Sequence, residues 1–261
     1  MDIFWSAVVF LFGLVVGSFI NVVVLRLNTG ESIIFTFSRC FSCSKRLGAG
    51  ELIPVLSFII QRGRCRHCGS SISFQYPVVE SLSGLLFFLI FLKLGYDIAG
   101  GGVFSIISSA LVFLFFAVLL AAAVYDARNK MLPDIFTATL TASAAVYSLL
   151  GGVFFYDMLA GLGAFLFFAL FWFVSGGKWM GFGDAKLAFG LGIFLGWPLV
   201  IVAVLLGFWI GAIWGILFLL LGKYGRKTQI PFGPFLATGA FLAFLLGKDM
   251  IAWYNHLIDF T

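Results

Sequence analysis

The chain has 261 residues, of which 62% are hydrophobic and only 10% are charged, and its mean hydropathy is +1.13. A water-soluble domain does not bury enough surface to hide that share of apolar side chains, so the composition excludes a soluble enzyme or binding domain. The sequence predicts an all-α polytopic membrane protein.

Apolar runs close to the roughly 20 residues that cross a bilayer recur along the chain and predict about eight transmembrane helices. The first run has no basic segment before it and no small-residue cleavage site after it, so it is expected to be a retained helix. The boundary between the sixth and seventh runs is weak, and seven spans is the second count. The predicted spans are residues 3–25, 78–94, 103–125, 133–155, 158–174, 186–199, 200–221 and 232–253.

Lysine and arginine fall almost entirely on one side of this arrangement. With eight spans, 14 of the 16 basic residues lie on one side, and only Lys93 and Lys248 lie on the other. Basic loops stay in the cytoplasm, so this side is predicted to be cytoplasmic, with both termini outside. The net charge of +5 is then a feature of membrane topology and predicts no binding to nucleic acid.

All four cysteines lie between the first two predicted spans, as CFSC and CRHC separated by 21 residues. Two CxxC turns can supply four thiolates to one tetrahedral zinc ion. Two disulfides are the alternative, but the predicted cytoplasmic location is reducing. Four thiolates leave no open position for water, so the metal is expected to be structural, and His67 is expected to be a bystander. The predicted ligands are Cys40, Cys43, Cys65 and Cys68.

Four acidic residues lie at the predicted cytoplasmic ends of spans, namely Glu80, Asp126, Asp134 and Asp184. Capping is the structural explanation, since an acid in the first turn of a helix is stabilised by the helix dipole. Capping fits Asp134 and Asp184, and Glu80 as well. Asp126 ends its span, where the dipole disfavours a negative charge, so Asp126 needs a functional explanation.

Asp184 follows two glycines in the stretch MGFGDAKLA. Gly181 and Gly183 allow the backbone to leave helical geometry and allow another chain to approach closely. If Asp184 faces Asp126 there, the two carboxyls share a proton. One then acts as a base on a water and the other donates a hydrogen bond to the scissile carbonyl. The pattern predicts aspartic proteolysis at a membrane surface.

Taken together, these motifs resemble the type IV prepilin peptidases, the GxGD aspartic leader peptidases of the bacterial cytoplasmic membrane. The resemblance covers nearly the full length, and the motifs come in the family's order. They are GSFINVVVLRL at 17–27, the two CxxC pairs with ISFQYPVVE at 72–80, YDARNKMLPD at 125–134, MGFGDAKLA at 180–188 and IPFGPFLA at 230–237.

The resemblance implies that Asp126 and Asp184 are the catalytic pair, with Asp134 as a neighbour. It implies cleavage of type IV pilin-like or pseudopilin precursors after a glycine, at the cytoplasmic face of the bacterial cytoplasmic (inner) membrane. Long members with the cysteine loop also methylate the new N-terminal amine with S-adenosylmethionine, whose binding residues here are unknown. Gly181, Gly183 and Glu80 are supporting residues, and Glu80 is hypothesised to attract the basic leader.

The predicted organisation is a first transmembrane helix at residues 1–25, a cytoplasmic zinc-binding loop domain at 26–77 and a transmembrane aspartic protease domain at 78–261. The expected partners are the precursors and the lipid bilayer. Two other functions stay open. One is a transporter or channel with a cytoplasmic zinc knuckle, because intramembrane acids often mark ion pathways. The other is a presenilin-like intramembrane protease with other substrates, which shares YD and GxGD but carries a different late motif.

Overall fold

The computed structural model describes residues 3–100, 102–221 and 230–259, except for the side chains of residues 96–100, 258 and 259. Within these ranges the regular structure is helical, with two isolated β-bridges. A short 3-10 helix, Ala49–Glu51, lies between α1 and α2. The α-helices are α1 (Ile3–Arg26), α2 (Leu56–Ile60), α3 (Gln75–Gly100), α4 (Gly102–Asn129), α5 (Asp134–Gly151), α6 (Phe154–Ser175), α7 (Phe182–Leu195), α8 (Leu199–Leu220) and α9 (Gly233–Asp259).

The long helices lie at the predicted spans and confirm an all-α, multi-pass membrane protein. In the described ranges, α1, α3, α4, α6, α8 and α9 are long and apolar enough to cross a membrane. α7 has 14 residues, which is about 21 Å of helix against a hydrocarbon core of about 30 Å. The count of eight spans therefore stays a prediction. Lys223, Arg226 and Lys227, which the prediction placed in a cytoplasmic loop, lie outside the described residues.

The chain forms two compact units, Met1–Ala99 and Gly100–Thr261. In the first unit, α1 and α3 pack with their backbones nearly in contact. A Cβ atom on Gly17 would lie 2.7 Å from Cα of Glu80 and 2.8 Å from Cβ of Ser83. Nearby, the side-chain amide of Asn21 donates to the carbonyls of Gly17 and Tyr76, both at 3.3 Å. The small and polar residues of GSFINVV therefore serve close helix packing.

The segment between α1 and α3 contains a strained turn at Val55. Its φ of 62° and ψ of −50°, with the N–H of Leu56 donating to the carbonyl of Pro54 at 2.6 Å, define a γ-turn that a β-branched residue rarely adopts. The carboxylate of Glu80 accepts the N–H of Val55 at 2.7 Å. A turn of this kind persists only when its surroundings hold it, and Glu80 provides one such contact.

In the second unit, α7 packs against α5, α6 and α9, and α4 packs against α5 and α9. Glycines allow α6 and α7 to cross closely, because a Cβ on Gly192 would lie 2.5 Å from Cα of Gly161. The rings of Phe115 and Phe194 stack at 3.9 Å between α4 and α7. These contacts fix the short helix α7 inside the bundle, although it is too short to span a bilayer alone.

Candidate active site and metal site

Asp126 lies in the last turn of α4 and is buried, with 5% of its surface exposed. Its Oδ2 accepts a hydrogen bond at 3.0 Å from the backbone N–H of Gly233, the first residue of α9. The positive end of one helix thus lies against an acid at the negative end of another. This contact explains how a carboxylate is tolerated at a position where its own helix disfavours it.

Asp184 is the third residue of α7 and is also buried, with 7% of its surface exposed. Its Oδ2 accepts the N–H of Gly181 at 3.2 Å, which is the capping contact that the sequence allowed. Capping does not account for all of its surroundings, because the negative charge of Asp126 also acts on Asp184. Two buried carboxylates from different helices of the second unit are therefore close enough to interact electrostatically.

The two glycines before Asp184 divide the roles that the sequence predicted for them, an exit from helical geometry and a close approach to another part of the chain. Gly181 has φ −75° and ψ 149°, which any residue can adopt, and Gly183 is outside the left-handed region as well. Between α6 and α7, the glycines with left-handed backbone are Gly176 and Gly177, which follow the last residue of α6. Gly183 is needed for space, because a Cβ there would lie 2.9 Å from Cβ of Leu132. It lets the start of α7 approach the α4–α5 connection.

Asp134 begins α5, and 77% of its side chain is exposed. Its Oδ1 lies 2.6 Å from Nζ of Lys186 on α7. Lys186 therefore pairs with Asp134, although it follows Asp184 by only two residues in the sequence. Asp134 is a surface ion-pair partner beside the buried pair.

Glu80 belongs to the first unit and is buried, with 6% exposed. Besides accepting the N–H of Val55, its carboxylate interacts with the hydroxyl of Ser18. These contacts describe a carboxylate that holds the fold of its own unit. They differ from the solvent-exposed charge that attraction of a basic leader would require.

The four cysteines come together in the first unit, and their Sγ atoms all lie within 4.8 Å of one another. Sγ of Cys40 lies 3.8 Å from Sγ of Cys68, the separation that tetrahedral Zn–S bonds of about 2.3 Å produce. The four thiols are free of disulfides. His67 is outside the cluster, and its Nε2 lies 3.9 Å from a carboxylate oxygen of Glu51. The donor set therefore fits a four-thiolate metal site.

The two CxxC turns repeat the same hydrogen bonds. The N–H of Ser44 donates to the carbonyl of Cys40 and the N–H of Gly69 donates to that of Cys65, both at 2.9 Å. Ser44 and Gly69, the residues after each pair, are both left-handed, with φ of 57° and 70°. Each turn thus directs its two sulfurs to the same side, as a shared metal requires.

Backbone amides of Cys43 and Ser42, followed by the hydroxyl of Ser70, lower the pKa of Cys40 to about 6. The Ser70 hydroxyl also lowers the pKa of Cys68. The pKa of Cys43 is raised to about 11, since the lowering effect of the Lys45 amide is outweighed by desolvation and by the sulfurs of Cys40 and Cys68. A lowered thiol pKa favours the thiolate, which is the form that binds a thiophilic cation.

Gly233 is the site residue that sequence reasoning missed. It lies in the IPFGPFLA stretch, 107 residues from Asp126, and no spacing rule links the two. The available signal was a glycine followed by a proline at the start of a predicted span, which marks a helix start but does not say what faces it.

Family models match both parts of the chain. The bacterial Peptidase A24 N-terminal domain matches residues 11–94, and the type IV leader peptidase family matches residues 113–216. The chain is 33% identical over 285 residues to the prepilin leader peptidase/N-methyltransferase of Aeromonas salmonicida (strain A449), covering 97% of this chain and 95% of the relative.

The protein of the same name from Bacillus subtilis (strain 168) is 33% identical over 251 residues, covering 95% of this chain and 97% of the relative. No solved structure is significantly similar to the chain. Similarity over nearly the whole length of these relatives, together with the matched models, means that the chain belongs to the type IV leader peptidase family.

Proposed function

We propose that the protein is a membrane aspartic endopeptidase that removes the basic leader from type IV prepilin-like precursors after a glycine. The observation that carries this proposal is that two buried carboxylates from separate helices, Asp126 and Asp184, are close enough to interact electrostatically although 58 residues separate them. Such carboxylates are costly near hydrocarbon and are kept there for function.

The proposed reaction uses one proton shared between the two carboxyls. The ionised carboxylate takes a proton from a water, whose oxygen attacks the carbonyl carbon of the scissile glycine. The protonated carboxyl donates to the carbonyl oxygen, which carries the developing negative charge. When the C–N bond breaks, the leaving nitrogen takes up a proton and becomes the new N-terminal amine.

The basic residues support a cytoplasmic location for this reaction. Arg128 and Lys130 follow Asp126, and Lys178 and Lys186 flank Asp184, as expected on the cytoplasmic side of a bacterial inner membrane. With the predicted eight spans, both termini lie outside. Precursors with a basic leader and an apolar helix would then enter the site from the membrane.

We propose that the four-cysteine cluster holds a structural zinc ion. The sulfur separations support it, and four thiolates leave no site for a reacting water. Cys40, Cys43, Cys65 and Cys68 would fix the segment between α1 and α3, which has little core of its own.

N-methylation of the new N-terminus is proposed as a second activity. Its support is the name of the relatives, prepilin leader peptidase/N-methyltransferase, and the intact cysteine cluster. Asn21 and Glu80, at the contact of α1 with α3, do not fit a binding site for S-adenosylmethionine, because both side chains are hydrogen-bonded to protein groups. The close packing at Gly17 also leaves no space there for a ligand. A mass shift of one methyl group on the cleaved product tests this activity.

The test of the protease uses purified enzyme in lipid and a precursor with a basic leader, a Gly-Phe junction and an apolar helix. Asp126→Asn and Asp184→Asn are each expected to abolish cleavage, whereas Asp134→Asn, the matched exposed acid, retains it. Full activity in either of the first two variants would contradict the proposal that Asp126 and Asp184 are the catalytic pair. A wild-type enzyme that cleaves none of these precursors would return attention to transport or to other membrane substrates.

A further inference from the structure

Each carboxylate of the proposed pair has one oxygen bound to the N–H of a glycine. Oδ2 of Asp126 accepts from Gly233, and Oδ2 of Asp184 accepts from Gly181. Among the described residues, Oδ1 of neither carboxylate accepts a hydrogen bond. The Gly181 contact is local, three residues from its aspartate, but Gly233 comes from a distant helix.

Gly233 differs from Gly181 in the space around it. A Cβ atom on Gly233 would lie 2.7 Å from Oδ2, 3.3 Å from Cγ and 3.4 Å from Cβ of Asp126, and these are its three nearest atoms. A Cβ on Gly181 would lie 3.7 Å from Oδ2 of Asp184, an ordinary contact. Only at Gly233 would a side chain collide with a carboxylate of the pair.

The start of α9 leaves the Gly233 amide available for this contact. The carbonyl of Phe232 accepts the N–H groups of Phe235 and Leu236, at 3.0 and 3.1 Å. Pro234 has no N–H to donate. The N–H of Gly233 is therefore a first-turn donor without a partner in its own helix. The carboxylate of Asp126 accepts its hydrogen bond.

We propose that Gly233 is a positioning residue, which fixes one oxygen of Asp126 and leaves the other for the shared proton and the attacking water. This inference rests on the proposed function. The absence of a side chain lets the amide approach the carboxylate, and the helix N-terminus favours its ionised form. A side chain at 233 would collide with the Asp126 carboxylate and displace it from its present position.

The first experiment compares Gly233→Ala with Gly163→Ala in the precursor cleavage assay. Gly163 is a matched control, because it also lies in a helix of the second unit and a Cβ there meets nothing within 4 Å. Misplacing a reacting group by about 1 Å can cost roughly 100-fold in rate. We expect a loss of about that size for Gly233→Ala and less than about twofold for Gly163→Ala.

The pH profile of kcat/KM separates positioning from general damage. An amide donor favours an ionised carboxylate, so Gly233→Ala is expected to move the acid limb to higher pH. Loss of folded enzyme would lower the rate without moving the limb. On α7, Asp184 is the charged group on which the charge of Asp126 acts. On the helices packed against α4, Asp134 is paired with Lys186, and Lys248 and Asp249 lie about 22 Å or more along α9 from Gly233.

A thermal unfolding cycle gives a result that is independent of activity. Gly233→Ala should lower Tm in the wild-type background, but much less in Asp126→Ala, where the colliding carboxylate is gone. Equal losses in both backgrounds would overturn the proposal, as would full activity of Gly233→Ala with an unmoved acid limb. If the wild type cleaves the precursor and Asp126→Asn does not, either of these outcomes rejects only the positioning role of Gly233 and leaves the proposed protease function standing. If the wild-type enzyme cleaves no precursor, the proposed function itself is rejected.

Discussion

Lys186 Nζ lies 2.6 Å from Oδ1 of Asp134, so the lysine nearest Asp184 in the sequence neutralises a different acid. Most of the Asp134 side chain and about a third of the Lys186 side chain are exposed. Exposed ion pairs contribute roughly 0–1 kcal/mol to stability. The pair therefore ties α5 to α7 beside the buried carboxylates without taking part in the proposed chemistry.

Because of that exposure, Lys186→Met and Asp134→Asn are expected to have similar, small effects. Each should lower the cleavage rate by less than about fivefold, which corresponds to about 1 kcal/mol. The double variant should be no worse than either single one, since both remove the same contact. Initial rates on one precursor provide the measurement. A loss in Lys186→Met comparable to that of Asp184→Asn would instead indicate a direct role for the lysine.

Metal removal is expected to act on the loop of the first unit. Purified protein should contain one zinc per chain, measured by elemental analysis, and Cys40→Ser or Cys65→Ser should lose it. Because the ion holds together a segment with little core, a strong chelator should expose residues 38–74 to added protease while α4–α9 stay intact. Ser42→Ala, between two ligands, serves as the control, since the Ser42 amide that acts on Cys40 is kept. Metal-free protein with an equally protected loop would contradict this prediction.

The equivalent left-handed positions, Ser44 and Gly69, predict opposite effects of reciprocal substitutions. A non-glycine residue in this region costs about 1 kcal/mol relative to glycine. Ser44→Gly should therefore raise zinc affinity by up to about fivefold, and Gly69→Ser should lower it by a similar factor. Competition with a chromophoric chelator measures both. Changes in the same direction would show that the two turns are not equivalent.

The γ-turn at Val55 should depend on Glu80. Glu80→Ala removes the acceptor of the Val55 N–H and should increase protease cleavage within residues 51–60, while Glu80→Gln keeps a carbonyl acceptor and has a smaller effect. Combining Glu80→Ala with Val55→Gly should restore much of the protection, because glycine adopts this backbone with little strain.

The same variants test the earlier leader-attraction hypothesis. Glu80→Gln should weaken precursor cleavage less than Asp126→Asn or Asp184→Asn, and it should do so equally for leaders of every charge if Glu80 only supports the turn. A loss that grows with the positive charge of the leader would favour attraction.

Local pattern was enough to predict some features and not others. Apolar runs gave the positions of the long helices, and two CxxC pairs gave the cysteine cluster, because both signals lie in short stretches of chain. The position of Asp126 at the unfavourable end of a helix indicated a functional role, but it did not show which group stabilises the charge there. The N–H of Gly233 provides a hydrogen bond to Asp126 from 107 residues away, and such a contact depends on how α4 and α9 pack.

The Asp134–Lys186 pair and the role of Glu80 were missed for the same reason. Lys186 is two residues from Asp184 in the sequence, yet the rotation of α7 directs it to α5. Glu80 has the sequence position of a free acid at a helix start, but the Val55 turn folds back onto it. In both cases the tertiary contact decides what the charge does.

The crossing of α6 and α7 at Gly161 and Gly192 has a consequence for the precursor. Gly192 is eight residues beyond Asp184, or about 12 Å along the helix at about 1.5 Å per residue. Because the two backbones are in contact, this crossing constrains how α7 is placed along α6, and with it the position of Asp184. If the aspartates cleave as proposed, this glycine crossing helps to set the depth in the bilayer at which the precursor is cleaved.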